Sequence, residues 1–115
     1  MALPRVNRLR ASSEVGAAVR RGRIVSNELA TMRYFARSTE KGSRFVFIVP
    51  KKIAKRSVLR NKIRRRAAEW VRKHQSVIAG GHDVAVIFRK PSTEATRSNF
   101  YCLLAQLFVR ANLIS

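Results

Sequence analysis

The sequence predicts an α+β fold, a single-layer, mostly antiparallel sheet with helices packed on one face, and three observations carry that reading. Short strand-favouring runs alternate with helical repeats in the order helix, strand, strand, helix, strand, helix. One run, Asp83 to Phe88, is almost continuously apolar, as a strand buried on both faces in the middle of a sheet would be. The two longest helical repeats each carry one apolar stripe to lay against that sheet. At 115 residues and 46% hydrophobic content, the chain (1–115) is one domain with a modest core.

Residues 1–10 are polar and basic and read as a flexible arm. Ser12 or Ser13 then caps a helix of two or three turns in which Val15, Ala18 and Val19 share a face, and Gly22 ends it. Arg23 to Asn27 has room for a short extra strand. Leu29 to Arg37 and Phe45 to Val49 are strands, the second more buried, with Ser38 to Ser43 as a hairpin loop between them. Pro50 cannot donate to a ladder, so the second strand stops there and Lys51 to Arg56 follows as an exposed, extended basic connection. From Ser57 to Lys73, the residues Leu59, Ile63, Ala67 and Trp70 recur at intervals of four, four and three and form one helical stripe, with Val71 at its margin. Gly80 and Gly81 turn the chain into the third strand, and Arg89, Lys90 and Pro91 break it. Ser92 or Thr93 caps the last helix and Glu94 suits its positive end; Phe100, Leu103, Leu104, Leu107, Phe108 and Ala111 are its buried face.

Charge sets the function class. Lys plus Arg number 25 against 6 Asp plus Glu, a net of +19, and clustered arginine on so small a body is the footprint of a nucleic-acid binder. A membrane partner is not expected, because the longest purely apolar stretch, Phe45 to Val49, falls far short of the roughly 20 residues a spanning helix needs. Arg5, Arg8 and Arg10 interrupt the start before a signal-peptide core can form, which predicts a cytoplasmic protein. Lone Cys102 rules out an internal disulfide and, within the apolar run Phe100 to Leu104, reads as a small buried hydrophobe.

The central helix turns Asn61, Arg64, Arg65, Ala68 and Arg72 away from its apolar stripe, with Arg60 at the edge of the core. Its one acid, Glu69, can relieve Arg65 and Arg72 by roughly a few tenths of a kcal/mol each. The remaining like charges crowd one another, so a partner carrying phosphate explains them better than a merely solvated face. Guanidinium forks pair bidentately with phosphate, Asn61 both donates and accepts, and Ala68 leaves room for a backbone. Folded RNA hides its base edges, so recognition by shape is expected in place of base readout.

No catalytic chemistry is expected of the protein alone. The acids Glu14, Glu28, Glu40, Glu69, Asp83 and Glu94 are scattered singly and form no metal-holding cluster. His74 and His82 flank the glycine turn and read as solvated loop histidines, Ser57 lacks a general base, and neither a P-loop nor a zinc spacing occurs. Neither a protein-bound cofactor nor a small-molecule substrate is expected.

The run Phe45-Val46-Phe47-Ile48-Val49-Pro50-Lys51-Lys52-Ile53-Ala54-Lys55-Arg56, followed by Ser57 and the core motif Val58-Leu59-Arg60-Asn61-Lys62-Ile63-Arg64-Arg65, resembles the strand, lysine pair and Arg-Asn helix of the bacterial ribonuclease P protein subunit. The resemblance runs from Asn7-Arg8-Leu9, through Gly22, to Phe88-Arg89-Lys90-Pro91. It implies a ribosomal-protein-S5-domain-2-like sandwich, α-β-β-(β)-α-β-α, with a left-handed βαβ crossover that the strong right-handed rule would not predict. It also implies a basic subunit that binds the catalytic RNA of ribonuclease P and promotes removal of the 5′ leader from precursor tRNA, with catalysis and Mg2+ belonging to the RNA.

By that resemblance Lys51, Lys52, Arg56, Arg60, Asn61, Lys62, Arg64 and Arg65 meet the RNA subunit. Tyr34, Phe47, Arg89 and Lys90 are candidates for a leader cleft, together with Val15 and Val19, where the family commonly has aromatic residues; it commonly has glycine where Ala54 stands. Tyr34 leads because Arg33 and Arg37 beside it suggest an open edge, whereas Phe45, Phe47 and Phe88 could equally pack the core. Two other classes compete: a structural ribosomal or ribosome-assembly protein, and a DNA binder using the same helix in a major groove.

Overall fold

The computed structural model describes residues 22–36, 43–89 and 97–114. Among them are four strands, β1 (Arg23–Ser26), β2 (Ala30–Ala36), β3 (Arg44–Ile48) and β4 (His82–Phe88), and two α-helices, α1 (Ser57–His74) and α2 (Arg97–Arg110). A 3-10 turn, Gln75–Val77, follows α1. The N-terminal arm, the first predicted helix with Val15 and Val19, Ser38 to Gly42, Lys90 and the capping residues Ser92 to Glu94 lie outside the described residues.

The strand order is β1-β2-β4-β3, with β1–β2 and β2–β4 antiparallel and β3–β4 parallel. β4 is central, as its double-sided apolar character requires: Val84, Ala85 and Val86 are fully buried. The short extra strand exists as β1. The expected β2–β3 hairpin does not, because β4 lies between the two. A strand apolar on both faces gains most when both of its edges are also paired, so β4 displaces the sequence neighbours from each other. The parallel pairing then makes α1 the body of a β3–α1–β4 crossover.

Register sorts the side chains by face. Met32 and Phe47 both lie opposite Val86, which puts Ala30, Met32, Phe45, Phe47, Val84, Val86 and Phe88 on one side, all buried. Both helices cover that side. From α1 come Ile63, Ala67, Trp70 and Val71; from α2 come Phe100, Leu104, Leu107, Phe108 and Ala111. Trp70 and Phe108 meet at 5.3 Å between ring centroids, Phe45 and Phe108 at 6.2 Å, and Phe88 stacks on Phe100 at 5.9 Å. Each large side chain so buried contributes about 1.5–3 kcal/mol. The α1 stripe is rotated slightly from the predicted one: Val71 is fully buried and Leu59 only half-buried. No helix among the described residues is long and apolar enough to cross a membrane.

Cys102 is exposed, against expectation. Helical angle decides this: at 100° per residue Cys102 lies opposite the Phe100, Leu104, Leu107 and Phe108 face, although it sits inside an apolar run. Leu103 flanks the core and is half-buried.

Polar contacts fix the strand ends. Arg44 and Asp83 are register partners and pair bidentately, Nε to Oδ1 at 2.9 Å and Nη2 to Oδ2 at 2.8 Å, with Asp83 only 5% exposed. Asn27 turns β1 into β2 by accepting from the Leu29 and Ala30 N–H groups, and donates to the Leu103 carbonyl and Gln106 of α2. The C-terminal end of α2 closes with Asn112 at φ 59°, and the Leu113 N–H donates back to the Phe108 carbonyl.

Candidate nucleic-acid interface

The basic segment opens with a turn. The Pro50 carbonyl accepts from the N–H groups of Ile53 (3.0 Å) and Ala54 (3.3 Å), so Lys51 to Ile53 fold back where an extended connection was predicted. Hydrophobic anchoring explains it: Ala54 is 6% exposed and Ile53 packs against the core, which leaves Lys51 and Lys52 at the exposed tip. Ala54 has no positive φ, so this turn does not need the glycine common in the resembled family, and its methyl adds to the core.

Arg60 holds this turn from the helix side. Its Nη1 donates to the carbonyls of Ala54 (2.9 Å) and Lys55 (2.8 Å), which have no helical partners. Four residues on, Arg64 Nη1 donates to Asn61 Oδ1 at 2.6 Å, a bond that sets the direction of both side chains. Arg56 precedes α1 without a side-chain cap, and the first turn carries no acid, so the positive helix end and Arg56 add to one another.

Around the α1 axis the polar side chains fan out. Arg60 and Arg64 lie on the flank beside the 50–55 turn, Lys62 and Arg66 on the flank toward α2, and Asn61 and Arg65 on the outward crest between them. Glu69 pairs loosely with Arg72 at 4.0 Å, as expected, and also with Lys73 at 3.7 Å. These exposed contacts are worth little and leave the positive surface largely intact.

Of the leader-cleft candidates, Tyr34, Phe47 and Arg89 are among the described residues, and these three do not converge. Phe47 is a core residue, 8% exposed, on the helix-covered face. Tyr34 shares that face and is half-buried against the core, where it lines a hollow of about 430 Å³ with Arg23, His82 and Asn112. Arg89 is exposed and stands just past the end of β4, roughly 17 Å from Tyr34 at the strand rise. Its Nη1 donates to the Asn27 carbonyl at 3.3 Å. The other face of the sheet carries Thr31, Arg33, Val46, Ile48 and Ile87, all half-buried, with exposed Ile24 at its edge. The alternation in Phe45 to Ile48 carried this signal, since the residues between two buried phenylalanines must face the other way.

The histidines are only partly as predicted. His74 ends α1, stacked on Trp70 at 4.2 Å, with its Nδ1–H donating to the Trp70 carbonyl at 2.8 Å. His82 opens β4, and its Nδ1 lies 2.9 Å from the Gly80 carbonyl. Both rings are committed to local backbone and packing.

Known proteins resemble this arrangement end to end. The ribonuclease P family model matches residues 3–112. The ribonuclease P protein component of Synechococcus elongatus is 31% identical over 119 residues, covering 99% of this chain and 97% of that one. That of Microcystis aeruginosa is 29% identical over 117 residues, covering 99% and 98%. The solved Staphylococcus aureus RNase P protein shares the fold at a TM-score of 0.86 and 25% identity, over 95% of this chain and 98% of that one. The Thermotoga maritima RNase P protein shares it at 0.80 and 24%, over 90% and 96%. A basic helix set as a crossover behind a four-stranded sheet, in a chain matched along nearly its whole length, thus belongs to the ribonuclease P protein component family.

Proposed function

We propose that the chain works as the RNA-binding subunit of ribonuclease P. In this reading it docks on the RNA subunit through α1 and the turn before it, and the complex removes the 5′ leader of precursor tRNA. Cleavage and the Mg2+ it uses belong to the RNA. The observation that carries the reading is the presentation of Lys51, Lys52, Arg56, Asn61, Arg64 and Arg65 on a turn and helix held rigid by Arg60 and by the core beneath. Rigid placement lowers the entropy cost of binding, and guanidiniums match the phosphates and 2′-hydroxyls through which folded RNA is read. The leader is expected on the face of the sheet away from α1 and α2, where Arg33 lies with Val46, Ile48 and Ile87.

The test is reconstitution. Mixed with a bacterial ribonuclease P RNA and precursor tRNA at low Mg2+, the protein is expected to accelerate 5′ maturation. A folded protein that binds the RNA but gives no acceleration would overturn this reading, and equal affinity for ribosomal RNA in that experiment would favour the ribosomal alternative.

A further inference from the structure

Between α1 and α2 runs a groove of about 550 Å³ that shares only Arg65 with the docking surface described above. Its α1 wall carries Lys62, Arg65, Arg66 and Lys73 against the lone carboxylate of Glu69. Lys62, Arg66, Glu69 and Lys73 follow one another at intervals of four, three and four, so they form a single row along the helix, about 16 Å long at the helical rise. Lys62 and Arg66 repel each other at that spacing. Glu69 is held by Lys73 at 3.7 Å, which leaves a net positive row.

The other wall supplies an aromatic. Tyr101 of α2 lines the same groove, half-buried, its ring set nearly edge-on to Phe100 at 5.6 Å and 78°. Packing against that fully buried phenylalanine fixes the ring's position. Near the start of α1, Val58 is 70% exposed and also lines the groove, giving apolar surface beside the cations. A concave row of cations with a fixed ring on the far wall matches a nucleic-acid strand, whose phosphates and bases alternate in chemistry. A concave wall also concentrates the positive field more than the convex side of the helix does.

We propose that α1 is gripped by RNA on both flanks: the α1–α2 groove is a second phosphate track, with Tyr101 as its stacking platform, distinct from the Asn61–Arg64 side. The occupant is a second backbone segment of the same folded RNA. This inference rests on the RNA-binding reading above, and it adds Arg66, Lys73 and Tyr101 to the interface.

The test measures binding to a bacterial ribonuclease P RNA over a salt series for Arg66→Met with Lys73→Met, for Arg64→Met, and for all three together. Methionine keeps the packed stems, and circular dichroism verifies folding. The double groove variant is expected to reduce the slope of log K against log salt by about 1.4–1.8, the value for two lost phosphate contacts, and the triple variant to add the Arg64 loss to it. Tyr101→Leu is expected to weaken binding by about fivefold or more at unchanged slope, and Tyr101→Phe to preserve it. An unchanged slope for the groove variant beside a reduced one for Arg64→Met overturns the second track and leaves the binding reading intact. No change in either overturns both. A triple variant no weaker than Arg64→Met alone overturns the claim of separate tracks.

Discussion

Arg60 is predicted to act on RNA mainly through the turn it holds. Its Nη1 bridges the Ala54 and Lys55 carbonyls at 2.9 and 2.8 Å, and the turn so held displays Lys51 and Lys52. A hydrogen bond from a charged donor contributes roughly 1.5–3 kcal/mol when shielded. The bond to Ala54 is partly buried and counts near that range; the bond to Lys55 is exposed, and water replaces most of it. Arg60→Met, which keeps the stem and removes the donors, is therefore expected to destabilise the fold by about 2–3 kcal/mol. Urea denaturation followed by the fluorescence of Trp70, the single tryptophan and a buried one, measures this directly. Arg60→Lys restores the charge but not the geometry and should recover less than half of the stability. In RNA binding, Arg60→Met should lose more affinity than one missing phosphate contact accounts for. If Arg60→Met were as stable as the parent, and its whole binding defect appeared as a salt slope lower by about 1, Arg60 would be a phosphate ligand and the positioning argument would be wrong.

Arg64→Ala should lower the salt slope of RNA binding by about 1 while leaving stability nearly unchanged; an unchanged slope would remove Arg64 from the interface. Asp83→Leu removes both acceptors of the bidentate Arg44 pair and should cost about 1.5–3 kcal/mol in a urea titration, whereas adding Arg44→Met should recover part of that loss. Phe47→Leu keeps most of the core volume and should not alter the preference for precursor over mature tRNA; a reduced preference would place Phe47 at the leader after all.

Where burial and charge act within one element, the sequence was a reliable guide. The α1 stripe, the centrality of β4 and the exposed basic segment all follow from local periodicity. Failures arose where a competing long-range term decided. β2 and β3 look like a hairpin only until β4 is given two neighbours. Lys51 to Arg56 looks extended until Ile53 and Ala54 are given a core to enter. Cys102 was judged by its apolar neighbours although its angle on α2 points it outward. The resemblance offers Phe47 as a leader-cleft candidate, but alternation with Val46 and Ile48 turns its ring into the helix-covered core. The carbonyl bonds of Arg60 had no signal in the sequence, since an arginine beside a turn and an arginine facing phosphate read alike.

The crossover makes the basic helix α1 inseparable from the sheet. β3 and β4 can pair in parallel only after the chain between them has looped back, and α1 is most of that chain. Closing so long a loop is slow and costs entropy before any ladder forms. An RNA that holds α1 thus holds the closed loop, and it binds the native chain in preference to the unfolded one. Stability then rises with RNA concentration as RT ln(1 + [RNA]/Kd), about 2.7 kcal/mol at a hundredfold excess over Kd. Counter-charge and topology act together here: the polyanion that relieves a net charge of +19 also fastens the strands on either side of the helix it touches. Docking through α1 is therefore expected to raise the melting point with RNA concentration, and a melting point that does not move with added RNA would refute that coupling.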